Sequence, residues 1–168
     1  MAATQSFDIT VGCDLQEIDN AVNQAVKEIT QRYDFKGLKV SIEFQRADNR
    51  IVLAGPDDFK LEAMWEVLQT KLVKRQVALR NIKPGKIEPA AGGTVRQQFD
   101  VQQGIPTETA RAIVKRIKDL KLKRVQAAIQ DEQVRVSSPS RDDLQAAIAA
   151  LKQEDFGMEL RFGNYRTQ

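Results

Sequence analysis

The chain has 168 residues, of which 42% are hydrophobic and 29% charged, and this is an ordinary globular composition. It contains no histidine and a single cysteine, Cys13, which excludes a zinc site, an internal disulfide and a nucleophile activated by histidine. The net charge is +3, and the excess of basic residues lies in residues 93–168, which is compatible with an anionic ligand.

These absences also bear on the class of protein. Without histidine the commonest general base is missing, so we expect a binding protein that is not an enzyme and holds no cofactor or metal ion. No apolar run approaches the roughly 18 residues that cross a bilayer. Together with the single cysteine, this pattern predicts a cytoplasmic protein without a membrane segment.

The first elements along the chain are a strand, a helix and two further strands. Phe7–Val11 alternates apolar and polar residues, as a half-buried strand does. Asp14 is typical of a helix N-cap, and helical apolar spacing then continues to about Arg32. Residues 38–44 and 51–54 alternate again, which predicts two strands joined by a turn.

A second helix and a proline- and glycine-rich stretch follow. Apolar residues recur on one face of residues 58–74, which predicts a helix, and residues 76–81 are expected to form a short strand. Residues 83–93 contain two prolines and three glycines. Because these residues interrupt regular structure, we predict a linker or long loop there.

The same order begins again after this stretch. The predicted elements are a strand at Val95–Val101, a helix opened by Gly104–Thr107, a hairpin of residues 125–130 and 133–137, a helix capped by Ser140, and a last strand at residues 158–162.

The order strand, helix, strand, strand, helix, strand therefore occurs twice. This is the ferredoxin-like plan, in which a four-stranded antiparallel sheet carries two helices on one face. We predict an α+β protein of two tandem ferredoxin-like domains, residues 1–92 and residues 93–168. The opposite face of each sheet would be free for a ligand or for the other half.

The candidate site comes from the densest basic run, Arg111–Arg124, in which Asp119 is the only acidic residue. Ammonium and guanidinium groups neutralise phosphate, so this run predicts a phosphate-binding edge, with a solvated helix face as the alternative. No glycine-rich phosphate loop is present. The candidate ligand-binding residues, from the run, the hairpin and the next helix start, are Lys115, Lys118, Lys121, Lys123, Arg124, Arg135 and Arg141.

The aromatic residues argue against an RNA-recognition module, which stacks bases on exposed rings of its sheet. Four strand aromatics are instead in phase with core residues: Phe7, Phe44, Phe99 and Phe162. Trp65 is expected to lie in the core, because it is on the apolar face of its helix. Tyr33, Phe35 and Tyr165 lie at the ends of elements, where an exposed ring could stack on a single base.

Nine short stretches cover nearly the whole chain and carry a family resemblance. They are Ser6–Ile9, Arg32–Lys36, Asp58–Lys60, Lys71–Arg75, Ile113–Lys118, Val125–Gln130, Val134–Val136, Arg141–Gln145 and Phe162–Arg166. In this order they resemble the bacterial YajQ family. Two positions differ from the family's usual pattern: Arg124 is an additional residue before the hairpin, and Asp131–Glu132 stands where a glycine-containing turn is usual.

The resemblance implies two ferredoxin-like domains that exchange their N-terminal strands, residues 6–12 and 94–102. Phe7–Val11 would then pair in the C-terminal sheet and Val95–Val101 in the N-terminal one. It also implies a cytoplasmic nucleotide-binding protein without catalytic residues, and members of the family are associated with purine nucleotides, RNA and cyclic di-GMP.

Three functions remain open from the sequence. The first is a module that binds a purine nucleotide or a cyclic dinucleotide such as cyclic di-GMP. The second is an RNA-binding protein, whose affinity would fall steeply with salt. The third is an adaptor that docks a protein partner on the free face of a sheet.

Overall fold

The structure is a computed structural model that describes residues 3–167, so the predicted domain ends at residues 1 and 168 lie outside the described residues. It contains two four-stranded antiparallel sheets, each packed with two α-helices. The predicted α+β class, with two ferredoxin-like sheets, is confirmed.

The strands are β1 (Gln5–Thr10), β2 (Ser41–Gln45), β3 (Arg50–Gly55), β4 (Ile82–Pro89), β5 (Val95–Val101), β6 (Gln126–Gln130), β7 (Gln133–Ser138) and β8 (Arg161–Thr167). The helices are α1 (Leu15–Gln31), α2 (Asp58–Lys74), α3 (Thr107–Asp119) and α4 (Arg141–Gln153). None of the helices formed by residues 3–167 is long and apolar enough to cross a membrane.

Each sheet contains one internal strand from the other half of the sequence. The strand orders are β6–β7–β1–β8 and β2–β3–β5–β4. Phe7 of β1 lies opposite Val136 of β7, and Ile9 lies opposite Phe162 of β8. Phe99 of β5 lies opposite a residue of β3 in the other sheet. The strand exchange implied by the family resemblance is therefore confirmed.

As a result, the described residues form two compact units with separate cores. The continuous unit is Gly12–Gln103, and the split unit comprises the described residues on either side of it. Met64 and Phe99 are fully buried in the core of the continuous unit. Phe7 and Ile113 are fully buried in the core of the split unit, although the first is near the start of the chain.

Polar caps begin helices where the sequence indicates them. The Oδ1 atom of Asp14 accepts a hydrogen bond from the backbone N–H of Gln16 at 3.0 Å. The hydroxyl oxygen of Ser140 accepts one from the backbone N–H of Asp143 at 3.2 Å. Such bonds satisfy N–H groups that have no partner within the first turn of a helix. Both predicted helix starts are confirmed.

The stretch predicted as a linker is instead strand β4, joined to β5 by a tight turn at Ala91–Gly93. The prolines fit because β4 is an edge strand, in which alternate N–H groups point away from the neighbouring strand and have no partner in the sheet. The register shifts between Pro84 and Ile87, and a Cβ on Gly85 would lie 2.7 Å from the carbonyl oxygen of Gln98. Gly85 therefore allows a close backbone approach within a sheet and does not mark a flexible joint.

Two other strand predictions need correction. Residues 76–81 form no strand, because Gln76 has a positive φ of 61° and Leu79–Asn81 form a 3-10 turn. The last strand begins at Arg161, later than predicted, while Met158 is buried in the core of the split unit ahead of it.

Candidate functional site at the basic end of the split unit

The site lies at one end of the sheet in the split unit. There, Ser6 of β1 lies opposite Ser137 of β7 and Arg166 of β8, and Ser137 also lies opposite Gln126 of β6. These four residues form a row across the sheet, one from each strand. The chain enters this row from α3 and leaves it for α4, so the end of α3 and the start of α4 lie at the same end of the sheet.

Most of the candidate residues lie at this end, because they belong to those two connections. Lys118 is in the last turn of α3, and Lys121, with a positive φ of 55°, begins the loop towards β6. Lys123 and Arg124 follow in that loop, and Arg141 is the first residue of α4. Together with Arg166, these residues form what we call the basic end: Lys118, Lys121, Lys123, Arg124, Arg141 and Arg166.

Five of the six cations of the basic end have no ion-pair partner among the described residues, and the exception is Arg166, which lies near Asp8. Lys118, Lys121, Lys123, Arg124 and Arg141 are all exposed, and within residues 3–167 none of these five forms an ion pair. Lys115 is also exposed but lies about one turn earlier on α3. Exposed groups without partners keep their charge and their donors for an incoming anion.

Arg135 differs from the other candidates because it binds a buried carboxylate. It lies on the helix-free face of β7, between the core residues Val134 and Val136. Its Nε atom donates to Oδ1 of Asp8 at 2.9 Å, and its Nη2 donates to Oδ2 at 3.4 Å. Asp8 is only 3% exposed. The guanidinium of Arg135 is therefore already engaged in a charge-assisted pair within the sheet.

Two more side chains complete the environment of Asp8. Asn164 donates its amide N–H to Oδ2, and Nη2 of Arg166 lies 3.7 Å from the same oxygen. The hydrogen bond from Arg135, followed by that from Asn164 and the charges of both arginines, lowers the pKa of Asp8 below its ordinary value, although burial opposes this shift. Asp8 thus stays ionised and ties β7 to β8 across β1.

We expect Asp8→Asn to lower the free energy of unfolding by about 2 kcal/mol at neutral pH, because one amide oxygen cannot replace two carboxylate acceptors. A lowered pKa in the folded state stabilises the fold above the unfolded pKa, and this contribution disappears as the pH falls through the folded value. The difference between the two proteins should therefore shrink below about pH 4. Urea denaturation between pH 3 and pH 7 measures it.

Asp100→Asn is the matched control for this prediction. Asp100 follows Phe99 in β5 as Asp8 follows Phe7 in β1, but its side chain is 77% exposed and 3.9 Å from Arg50. Such an exposed pair contributes little to stability. An equal loss of stability in the two variants would show that the Asp8 network has no special role.

A cavity of about 340 Å³ opens beside the basic end, between the ends of β1 and β8 and the start of α4. This volume lies at the lower end of the range of small-molecule sites. Its lining includes basic, aromatic, amide and apolar residues, namely Arg141, Arg166, Tyr165, Gln5, Gln145 and Leu144. The same surface therefore offers both charge and a partly open concave volume.

The rings at element ends have different environments. Tyr33 and Tyr165 are 90% and 62% exposed, whereas Phe35 is buried, with the cations of Arg32 and Lys60 at 5.3 and 5.1 Å from its ring centroid. Phe35 is therefore not available to stack on a base, although its position at the end of an element predicted an exposed ring.

Other rings follow the core pattern with one exception. Trp65 packs against the core of the continuous unit and stacks on Phe99 at a centroid distance of 4.3 Å. Phe59, in the first turn of α2, is 74% exposed and was missed. Within residues 3–167 there is no cluster of three or more acidic or cysteine side chains that could hold a metal ion.

Sequence reasoning also missed Arg166 as part of the site. Its position at the end of the last strand carries no local signal, because only the pairing of β8 with β1 brings it to the row of Ser6. The stretch Phe162–Arg166 did carry part of the family resemblance, and this was the one available hint.

Comparison with known proteins gives a consistent result along the chain. Residues 5–166 match the family described as "Nucleotide-binding protein YajQ-like". A protein of Carboxydothermus hydrogenoformans is 51% identical over 166 residues, which are 99% of this chain and 100% of that protein. One of Trichlorobacter lovleyi is 54% identical over 161 residues, covering 96% and 98%.

A third relative, from Elusimicrobium minutum, is 49% identical over 164 residues, which are 98% of this chain and 99% of its own. All three carry the name "Nucleotide-binding protein", which describes binding and no reaction. With two exchanged ferredoxin-like sheets and a family match over nearly its whole length, the chain belongs to the YajQ family.

Proposed function

We propose that the chain binds a nucleotide by holding its phosphate groups at the basic end, without catalysing a reaction. The observation that carries the proposal is that five cations lie at this end of the sheet, exposed and without an ion pair among the described residues. The names of the relatives support the same class of ligand.

The chemistry of the basic end fits a ligand with more than one phosphate oxygen to neutralise. Lysine contributes a compact point charge, and arginine contributes two parallel donors, so a loop with both can hold neighbouring phosphate oxygens. The candidate residues proposed for the site are Lys115, Lys118, Lys121, Lys123, Arg124, Arg135 and Arg141. Of these, Lys115 lies just outside the basic end, and Arg135 is already paired with Asp8, which also contacts Arg166 of the basic end. The ligand classes we favour are purine nucleotides and cyclic dinucleotides such as cyclic di-GMP.

Calorimetry with a panel of purine mononucleotides and cyclic dinucleotides tests the proposal. We expect at least one of them to release or absorb heat on binding and to raise the thermal unfolding temperature, because a ligand that binds only the folded state stabilises it. A panel that gives neither heat nor thermal shift contradicts the proposal.

The basic end can be tested by substitution. Lys123→Ala combined with Arg124→Ala should weaken nucleotide binding at least about tenfold, because each charge-assisted contact contributes roughly 1.5–3 kcal/mol and about 1.4 kcal/mol is a factor of ten. Folding stability should barely change, since both side chains are exposed. Titration calorimetry and thermal unfolding measure the two quantities.

The control is Lys27→Ala combined with Lys152→Ala, which removes two exposed basic side chains from α1 and α4. We expect little change in affinity, because neither lysine belongs to the basic end. If the control pair weakens binding as much as the test pair, the attraction comes from diffuse net charge and not from a defined site.

RNA is the second candidate ligand, favoured by the exposed residue Tyr165, which lines the same cavity as Arg141 and Arg166 of the basic end. Stacking on an aromatic ring tolerates any base, and phosphate neutralisation gives an affinity that falls steeply with salt. A flat salt dependence for single-stranded RNA would contradict this function. A lysate partner that remains bound after nuclease treatment would instead favour the protein-interaction adaptor.

A further inference from the structure

We propose that the cavity beside the basic end takes the base and ribose of a nucleoside phosphate, with the base stacked on Tyr165 and the phosphate on Arg141 and Arg166. This inference rests on the proposed function, because it assumes that the basic end attracts the phosphate. It goes further by assigning a place to the part of the ligand that carries no charge.

The first argument is the position of Tyr165. Its ring lines the cavity and is 62% exposed, yet it also lies 6.1 Å from the fully buried ring of Phe7. The contact with Phe7 anchors the ring to the core, while the residue remains mostly exposed and contributes to the lining of the cavity. An aromatic ring held in this way gives a base a stacking surface at little cost in side-chain entropy.

The second argument is the irregular backbone that presents Tyr165. The register of β8 against β1 shifts between Ser6 and Asp8, where Asn164 and Tyr165 together occupy the space opposite Phe7. Asn164 adopts a positive φ of 55°, and its amide donates to the carboxylate of Asp8. Bulges of this kind redirect side chains next to binding sites. The buried Asp8 network therefore fixes the segment that carries the ring.

The third argument is the presence of two arginines among the residues that line the cavity. Arg141 forms no ion pair among the described residues, and Arg166 approaches only Oδ2 of Asp8, at 3.7 Å. Each guanidinium has five N–H donors, so both retain donors for phosphate oxygens. Two arginines and a ring around one cavity match a ligand that has an anionic end and a planar end.

The other lining residues offer polar and apolar contacts that suit a base. The amides of Gln5 and Gln145 each offer donors and an acceptor, and such groups suit the edge of a base. Leu144 supplies apolar surface at the wall. A cavity of about 340 Å³ accommodates a nucleoside but not a folded nucleic acid, so the expected ligand is a nucleoside phosphate.

The test uses full-length protein and three probes: guanosine 5′-monophosphate, adenosine 5′-monophosphate and ribose 5-phosphate. Tyr165→Ala should weaken binding of the better nucleotide about tenfold and leave ribose 5-phosphate affinity unchanged, because only the base contacts the ring. Tyr165→Phe should bind like the parent protein. Tyr33→Ala is the control, since that ring is more exposed but lies in the continuous unit.

A second variant is needed because Tyr165→Ala also removes the contact with Phe7 and can thereby affect folding. Gln145→Trp places a bulky side chain at an exposed helix position that lines the cavity. It should weaken the nucleotide about tenfold more than it weakens ribose 5-phosphate, by filling the space of the base.

The outcomes separate this inference from the proposed function. If ribose 5-phosphate and the nucleotides bind the parent protein equally, or if Tyr165→Ala and Gln145→Trp leave nucleotide affinity unchanged, the assignment of the cavity is overturned while phosphate binding stands. If no probe binds the parent protein, both fall.

Discussion

A fragment of residues 12–103 is expected to fold by itself, whereas a fragment of residues 12–92 is expected not to fold. The longer fragment contains every residue of the core around Met64 and Phe99, and it keeps β5 as an internal strand. The shorter fragment lacks β5, so β3 and β4 both lose a neighbour and Phe99 leaves the core. A sheet interrupted at an internal strand leaves its backbone groups and apolar face unsatisfied.

Far-UV circular dichroism and thermal unfolding distinguish the two fragments. The longer one should unfold cooperatively, and the shorter one should show no cooperative transition. Adding a peptide of residues 93–103 to the shorter fragment should restore cooperative unfolding, because it supplies β5. A cooperative transition in the shorter fragment alone would contradict the view that β5 is essential to this unit.

Both fragments begin at residue 12 so that they lack β1. Phe7-Asp8-Ile9 in β1 is similar to Phe99-Asp100-Val101 in β5, with Ile in place of Val, and the apolar residues of both segments are buried. In a fragment that keeps residues 3–11, β1 could therefore take the place of β5. Its removal leaves β5 as the only strand able to fill that position.

Local signals in the sequence predicted most of the elements. The apolar stripe of α2 and the alternation of β5 gave bounds identical to those of the structure. The hairpin of β6 and β7 was also correct, because its two alternating runs meet at a two-residue turn. These signals depend on residues close in sequence, so tertiary context changes them little.

Strand β4 could not be predicted in the same way. Pro84, Gly85 and Pro89 are typical of a loop, and the pairing with β5 that makes them a strand depends on a neighbour formed later in the chain. The strand exchange was likewise invisible to periodicity, because the alternation of β1 fits either sheet. Only the family resemblance pointed to it.

The position of the candidate site residues in the fold was partly predictable for topological reasons. In this strand order the end of α3 and the start of α4 must lie at one end of the sheet, so Lys121–Arg124 and Arg141 come together without further information. The bond from Arg135 to Asp8 spans 127 residues, and the contact of Tyr165 with Phe7 spans nearly the whole chain. Such long-range contacts have no local signature in the sequence.

A reciprocal pair of core substitutions tests the exchange inside the intact protein. Phe99→Ala and Phe7→Ala should each lower the free energy of unfolding by about 4 kcal/mol, because truncating a fully buried phenylalanine leaves a cavity. Phe99→Ala also removes the stack on Trp65. Asp100→Ala, an exposed neighbour on the same strand, should change stability by less than about 0.5 kcal/mol.

The location of the lost hydrogen-exchange protection tests the strand exchange more directly than the size of the stability loss. Phe99→Ala should reduce hydrogen-exchange protection most in α2 and β3, and Phe7→Ala most in α3 and β7, because each ring belongs to the core of those elements. Each substitution would thus destabilise elements from the half of the sequence that does not contain the substituted residue. If Phe7→Ala opened α1 and β3 first, and Phe99→Ala opened α3 and β7 first, each strand would belong to the sheet of its own half and the exchange would be wrong. Amide exchange followed by mass spectrometry resolves these segments and decides between the two arrangements.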